Sequence, residues 1–133
     1  MEFQIDAASR TPIYRQLVAQ VRAAAARGRL VADERLPSVR ELSRQLVINP
    51  NTVARAYTEL EREGVLNTRP GLGVFVARPR TDLTKRARVE RLRTLVDELL
   101  IEAVHLSFSA EETQQLLIER MAKFQWTPAS GSE

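Results

Sequence analysis

Apolar residues recur at helical spacing near the start of the chain: Ile13, Leu17, Val21 and Ala24 form one stripe, which Tyr14 and Val18 widen. Thr11-Pro12 ahead of it reads as an N-cap followed by a proline at the first helical position, and Gly28 behind it as a left-handed stop. A first helix is predicted from about Pro12 to Arg27. After a loop from Arg29 to Pro37, Ser38-Val39-Arg40-Glu41 fits a capping box and opens a second helix with Val39, Leu42 and Leu46 inward. Val47-Ile48-Asn49 is the whole connection to the next helix. There Asn49-Pro50 repeats the cap-then-proline signature, Val53, Ala56, Tyr57 and Leu60 form the apolar side, and Gly64 marks the end. Two helices across so short a turn are a helix-turn-helix.

The period then changes. Val65-Leu66-Asn67-Thr68 and Val74-Phe75-Val76 are β-prone runs on either side of Arg69-Pro70-Gly71-Leu72-Gly73, whose residues suit a hairpin turn. A helix-turn-helix followed by a hairpin is a winged helix. Pro79 cannot join a ladder, which sets a boundary near Ala77 to Thr81 and divides the chain into a winged domain, residues 1–79, and a second region, residues 80–133. From Lys85 onward Val89, Leu92, Val96, Leu99, Ala103 and Leu106 follow at alternating spacings of three and four, an apolar heptad seam on one helix of about 20 residues that Leu95 and Leu100 broaden. Ser109-Ala110-Glu111-Glu112 is a second capping box, starting a last helix with Leu116, Leu117, Met121 and Phe124 inward, and Thr127 to Glu133 reads as a frayed tail. The expected class is α+β, mostly helical. The seam, with Leu117, Met121 and Phe124, is expected to bury a homodimer, because one small helical hairpin cannot cover it.

Charge adds a partner. The net charge of +3 divides into thirteen arginines against eight acidic residues up to position 80, and seven basic against nine acidic residues beyond it. The basic half contains no lysine; arginine's planar fork suits phosphate and guanine, so a polyanion is a plausible partner of that half, the alternative being a solvated surface. The front of the third helix carries Asn49, Asn51, Thr52 and Arg55, side chains that can pair with base edges when such a helix enters the major groove N-terminus first. Arg40 lies one turn into the second helix, clear of its apolar stripe, where it can reach a phosphate or a base. Ser38 is grouped with it. Arg35 and Arg44 are phosphate clamps or plain surface charge, and Asn49 is a cap first and a base contact second. Gly71 and Gly73 are either turn residues or bare backbone that approaches a narrow groove beside Arg69. The close approach is favoured, so Gly73→Ala is expected to weaken DNA binding while barely moving the melting temperature.

Other chemistry finds little support. The chain has no cysteine, which excludes disulfides and thiolate zinc sites, and its single histidine, His105, sits in no catalytic motif. No cofactor or metal is expected, and Asp97, Glu98 and Glu102 read as a solvated face. No apolar run is long enough to span a membrane and the N-terminus lacks a signal-peptide pattern, so a cytoplasmic protein is expected. The alternative function is a winged-helix interaction module whose heptad helix pairs with a different protein. An RNA-binding winged helix is disfavoured because no exposed aromatic platform is visible.

The run from Thr11-Pro12-Ile13-Tyr14 through Gly28-Arg29-Leu30, Leu36-Pro37-Ser38-Val39-Arg40-Glu41-Leu42, Asn49-Pro50-Asn51-Thr52-Val53, Ala56-Tyr57, Glu63-Gly64 and Gly71 to Val76 resembles the N-terminal domain of GntR-family transcription regulators. Asn-Pro-Asn-Thr-Val followed by Ala-Tyr, with a tail of only some 50 residues, resembles the YtrA-type subfamily. The resemblance implies that Arg40 and the start of the third helix contact an operator while the wing glycines approach the minor groove. It also implies a repressor of an operon that encodes a transporter, often with the regulator's own gene; an effector is not implied. Two positions depart from the family pattern. Pro50 stands where many members have a base-reading arginine, which passes that contact to Asn49, Asn51 or Arg55. Ala32-Asp33 replaces the more usual Pro-Gly, which is expected to alter only a surface turn.

Overall fold

The structure, a computed structural model, describes residues 1–79 and 84–126. The stretch around Arg80 and Thr81 and the expected frayed tail from Thr127 lie outside the described residues. Among those described, the order is α1 (Ile13–Ala26), β1 (Arg35–Leu36), α2 (Val39–Leu46), α3 (Pro50–Arg62), β2 (Leu66–Arg69), β3 (Gly73–Val76), α4 (Lys85–His105) and α5 (Ala110–Met121). The protein is α+β and mostly helical. It has two compact units, the first holding α1 to β3 and the second α4 and α5.

In the first unit the predicted stripe of α1 is the buried one, Leu17, Val21 and Ala24, and Gly28 ends the helix at φ +78°. The start of α1 differs from expectation. Pro12 occupies the cap position with ψ 146°, and no side chain caps the helix, so Thr11 does not play the role its type suggests. Two glutamines organise this end instead. Gln16 accepts from Asp6 N at 2.9 Å and donates to the Asp6 and Thr11 carbonyls, while Gln20, one turn on, accepts from Gln4 N at 2.9 Å and donates to Gln4 O at 2.7 Å. These paired amide bonds lay the N-terminal segment along α1, where Phe3 and Ile5 pack against the core.

The predicted loop from Arg29 to Pro37 contains a strand. Arg35 pairs with Phe75 and Leu36 with Val74, so β3 is the central strand of a three-stranded antiparallel sheet in the order β1-β3-β2. Leu36, Leu66 and Val76 face the helices from it and are buried. With Leu17, Val21, Leu42, Val53 and Leu60 they form one core; burying each of these side chains contributes about 1.5–3 kcal/mol against the unfolded chain.

The capping box of α2 forms as predicted, Ser38 Oγ accepting from Glu41 N at 3.0 Å and Glu41 Oε1 from Ser38 N at 3.1 Å. The Ser38 N–H first, and the Ser38 hydroxyl second, hold the Glu41 carboxyl below the usual carboxylate range. Asn49 Oδ1 caps α3 by accepting from Asn51 N at 2.8 Å. Between them Val47 closes the turn at φ +54°, almost wholly exposed. Buried Tyr57 fixes α3 to the entrance of α2 by donating from Oη to Pro37 O at 2.7 Å; burial first, and the Glu41 carboxylate second, push its phenol well above the usual range.

The second unit is a helical hairpin. Thr84 caps α4, and Ser109 with Glu112 forms the expected capping box of α5. Neither helix buries a single residue fully. Leu116, Leu117 and Met121, expected inward, remain exposed, with Phe124 half-buried, because a pair of helices shares only one interface. Leu99, Ala103, Leu106, Phe108, Leu116 and Leu117 line an open apolar groove of about 310 Å³.

Candidate nucleic-acid interface

The helix-turn-helix presents two kinds of side chain. Arg40 and Arg44 lie one turn apart on the same side of α2, exposed, and neither side chain has an ionic or hydrogen-bonding partner among the described residues. Asn51 is exposed on the first turn of α3, Thr52 beside it is half-buried, and Asn49 keeps its side-chain NH2 free while its oxygen caps the helix. Ser38 spends a lone pair of its hydroxyl on the cap. Several other charged side chains are engaged. Arg22 bonds Glu63 at 3.0 Å, Arg62 pairs with Glu59, and Thr68 donates to Glu61 at 3.1 Å.

Two expected contacts are placed otherwise. Arg55 turns toward α1: its Nη2 donates to Tyr14 Oη at 3.3 Å and its guanidinium lies 3.9 Å from the centre of the Tyr14 ring. Arg69 is not a free wing cation, since it bonds Asp33 at 2.5 Å and stacks 4.2 Å from the centre of Phe75. Arg35 sits at the root of the wing, a loose 4.0 Å from Glu41, both side chains more than half exposed. The tip, Pro70-Gly71-Leu72, is exposed.

Residues 13–76 match the model of the bacterial regulatory proteins of the gntR family. The chain is similar to the HTH-type transcriptional repressor YtrA of Bacillus subtilis (strain 168), 34% identical over 116 residues that cover 87% of this chain and 89% of that protein. The chain belongs to the GntR family. Among solved structures it is similar to a transcriptional antiterminator from Listeria monocytogenes EGD-e, at a TM-score of 0.77 and 32% identity over 98% of both chains. It is also similar to AraR(DBD) in complex with operator ORX1, at a TM-score of 0.51 and 25% identity over 58% of this chain and 96% of that one. As a GntR-family protein it is a DNA-binding transcription regulator and not an enzyme.

Asp33 is where this GntR chain departs most from expectation. It adopts φ +71°, its N–H donates to Val76 O at 2.8 Å, and its carboxylate holds both Arg69 and, at 3.2 Å, Arg78. A residue expected to alter only a surface turn ties the loop before β1 to the wing. Nothing local signals this, because its partners lie 36 and 45 positions away; the hint in the sequence is an acidic residue in a half rich in arginine. The Arg69 hydrogen bond, reinforced by Arg78, holds the Asp33 carboxyl below the usual carboxylate range. Its contribution to stability is therefore complete above the ordinary aspartate range and is lost as pH falls through the lowered value. Asparagine tolerates the left-handed backbone, so Asp33→Asn removes the charge and one of the two acceptor oxygens without straining the turn. The melting temperature of Asp33→Asn should fall below that of the parent at pH 7, with the gap closing below about pH 4; a gap independent of pH would contradict the pairing.

The wing glycines also separate. Gly71, at φ +75°, has open space where a Cβ would go, whereas Gly73, at φ +126°, would place a Cβ 2.9 Å from Arg35 Nε. The backbone conformation of Gly73 gives reason to expect that Gly73→Ala lowers the melting temperature after all. Strain in the backbone, with displacement of Arg35, should cost about 1–3 kcal/mol, and Gly71→Ala less. Thermal melts of the two variants check this; equal shifts would show that neither the φ of +126° nor the Arg35 contact sets Gly73 apart.

Proposed function

We propose that this regulator is a homodimeric repressor that binds an inverted-repeat operator through α2, α3 and the wing. The observation that carries the reading is the placement of charge. Arg40 and Arg44 are left without partners among the described residues beside the polar start of α3, while Arg22, Arg62, Arg69 and Arg78 are held by carboxylates. Unspent guanidinium donors next to Asn49 and Asn51 suit phosphate and base edges. AraR(DBD), which shares the fold, was solved with an operator bound, and that supports the same mode here. The exposed apolar stripe of α4 supports a second copy as partner, and a two-fold dimer presents two copies of α3 to two half-sites. The YtrA-type resemblance points to an operon encoding a transporter and the regulator itself. Among the described residues no helix is long and apolar enough to cross a membrane, and such a regulator works in the cytoplasm, where its operator lies.

Selection of binding sites from random duplex DNA with the full chain tests the proposal. The expected consensus is a dyad whose halves are related by about one helical turn or a small multiple. Enrichment of direct repeats, or no enrichment, would overturn it.

A further inference from the structure

Tyr14 is the meeting point of two arginines. Arg15 Nε donates to Tyr14 Oη at 3.1 Å and Arg55 Nη2 donates to the same oxygen at 3.3 Å, with the Arg55 guanidinium stacked on the ring. The cluster lines a groove of about 640 Å³ between α1 and α3. The carboxylates of that groove are already engaged, Glu63 by Arg22 and Glu59 by Arg62, and neither Arg15 nor Arg55 forms an ion pair among the described residues. Two guanidiniums thus share one neutral oxygen, which leaves most of their donors unused; they repel each other, and Glu59 offsets this only by a longer-range attraction for Arg15. An anion that bridges both removes the repulsion, and the fork of arginine fits a phosphate with two parallel bonds.

The position of Arg55 selects which anion. It lies one turn beyond Asn51 on the same outer side of α3, about 6 Å along the axis. A helix whose first turn stands among the bases of a groove about 12 Å wide brings its second turn level with the phosphate wall. We propose that Tyr14, Arg15 and Arg55 form a clamp for one backbone phosphate of the DNA duplex. Arg55 then sets the register of α3 and does not read guanine. This rests on the DNA-binding mode proposed above.

The test is the affinity of the full chain for its selected operator and for random duplex DNA between 50 and 200 mM salt, a range over which phosphate contacts are revealed by slope. Arg15→Gln and Arg55→Gln should each weaken both duplexes by the same factor, about fivefold, and the two together should reduce the salt slope by about 0.9, the value for one phosphate. Arg55→Lys should keep the slope yet bind both duplexes more weakly, since it retains the charge without the fork. Tyr14→Phe should keep the slope and weaken both, because the ring remains and the shared oxygen is gone. Thermal melts identify any variant that is unfolded, and the comparison then rests on those that fold. Losses confined to the operator, with preference relaxed at one base pair, would make Arg55 a base reader and overturn the clamp; so would unchanged slopes. Arg40→Ala is the reference: if it too leaves operator affinity unchanged, the DNA-binding mode fails, whereas silence of Arg15 and Arg55 variants alone removes only the clamp.

Discussion

Replacing Leu92 and Leu99 together by lysine is expected to give monomers and to lower operator affinity at least about a hundredfold, the gain that linking two half-site contacts provides. Leu92 is 62% exposed and Leu99 is 44% exposed, and Val89, Val96 and Leu106 of the same seam stand open beside them. A helix of 21 residues extends about 31 Å, enough for its stripe and the adjoining groove of α5 to supply an interface of ordinary size. Lysines at both positions place like charges across a two-fold seam and desolvate them. The first unit has its own core and should stay folded, so circular dichroism of the variant should retain its helical signal. Sedimentation at micromolar concentration checks the outcome. A double variant that remains dimeric would show that the seam lies elsewhere.

Arg40→Ala and Asn51→Ala are each expected to cost about 1–3 kcal/mol on the operator and to leave random DNA nearly unaffected, the signature of a lost base contact. Both residues are exposed and neither supports the core, so their melting temperatures should match the parent. Arg44→Ala, one turn from Arg40 and equally unpartnered among the described residues, is expected instead to weaken all DNA alike and to reduce the salt slope by about 0.9. Titrations of operator and scrambled duplex at two salt concentrations separate these outcomes. Equal losses for all three on both duplexes would remove Arg40 and Asn51 from sequence reading.

The features legible in the sequence are those that local physics decides. The stripe of α1, the capping boxes at Ser38 and Ser109, the Asn49-Pro50 start of α3 and the hairpin turn depend on neighbours within a few positions, and they lie where the spacing places them. Strand β1 is hidden because two residues carry no alternation; it exists only through pairing with β3 some 40 positions away. The Asp33 bonds to Arg69 and Arg78 and the Arg55 stack on Tyr14 are hidden for the same reason. Residue type suggests a reading arginine at Arg55 and a wing cation at Arg69, and their partners Tyr14 and Asp33 lie 41 and 36 positions away. Thr11 shows the converse, a favourable cap type displaced when Pro12 itself takes the cap position. In α4 and α5 the helical period is legible in the sequence, and the apolar side chains that it marks are exposed in the single chain.

Hydroxyl-radical footprinting of the full chain on its selected operator bears on the two-fold dimer itself. Two protected patches are expected on each strand, related by the operator's dyad, their centres one helical turn or a small multiple apart, and both lost with the Leu92 and Leu99 double variant at concentrations where the parent saturates. A single patch without a dyad, or two patches in tandem orientation, would contradict a two-fold dimer that reads DNA with α2 and α3.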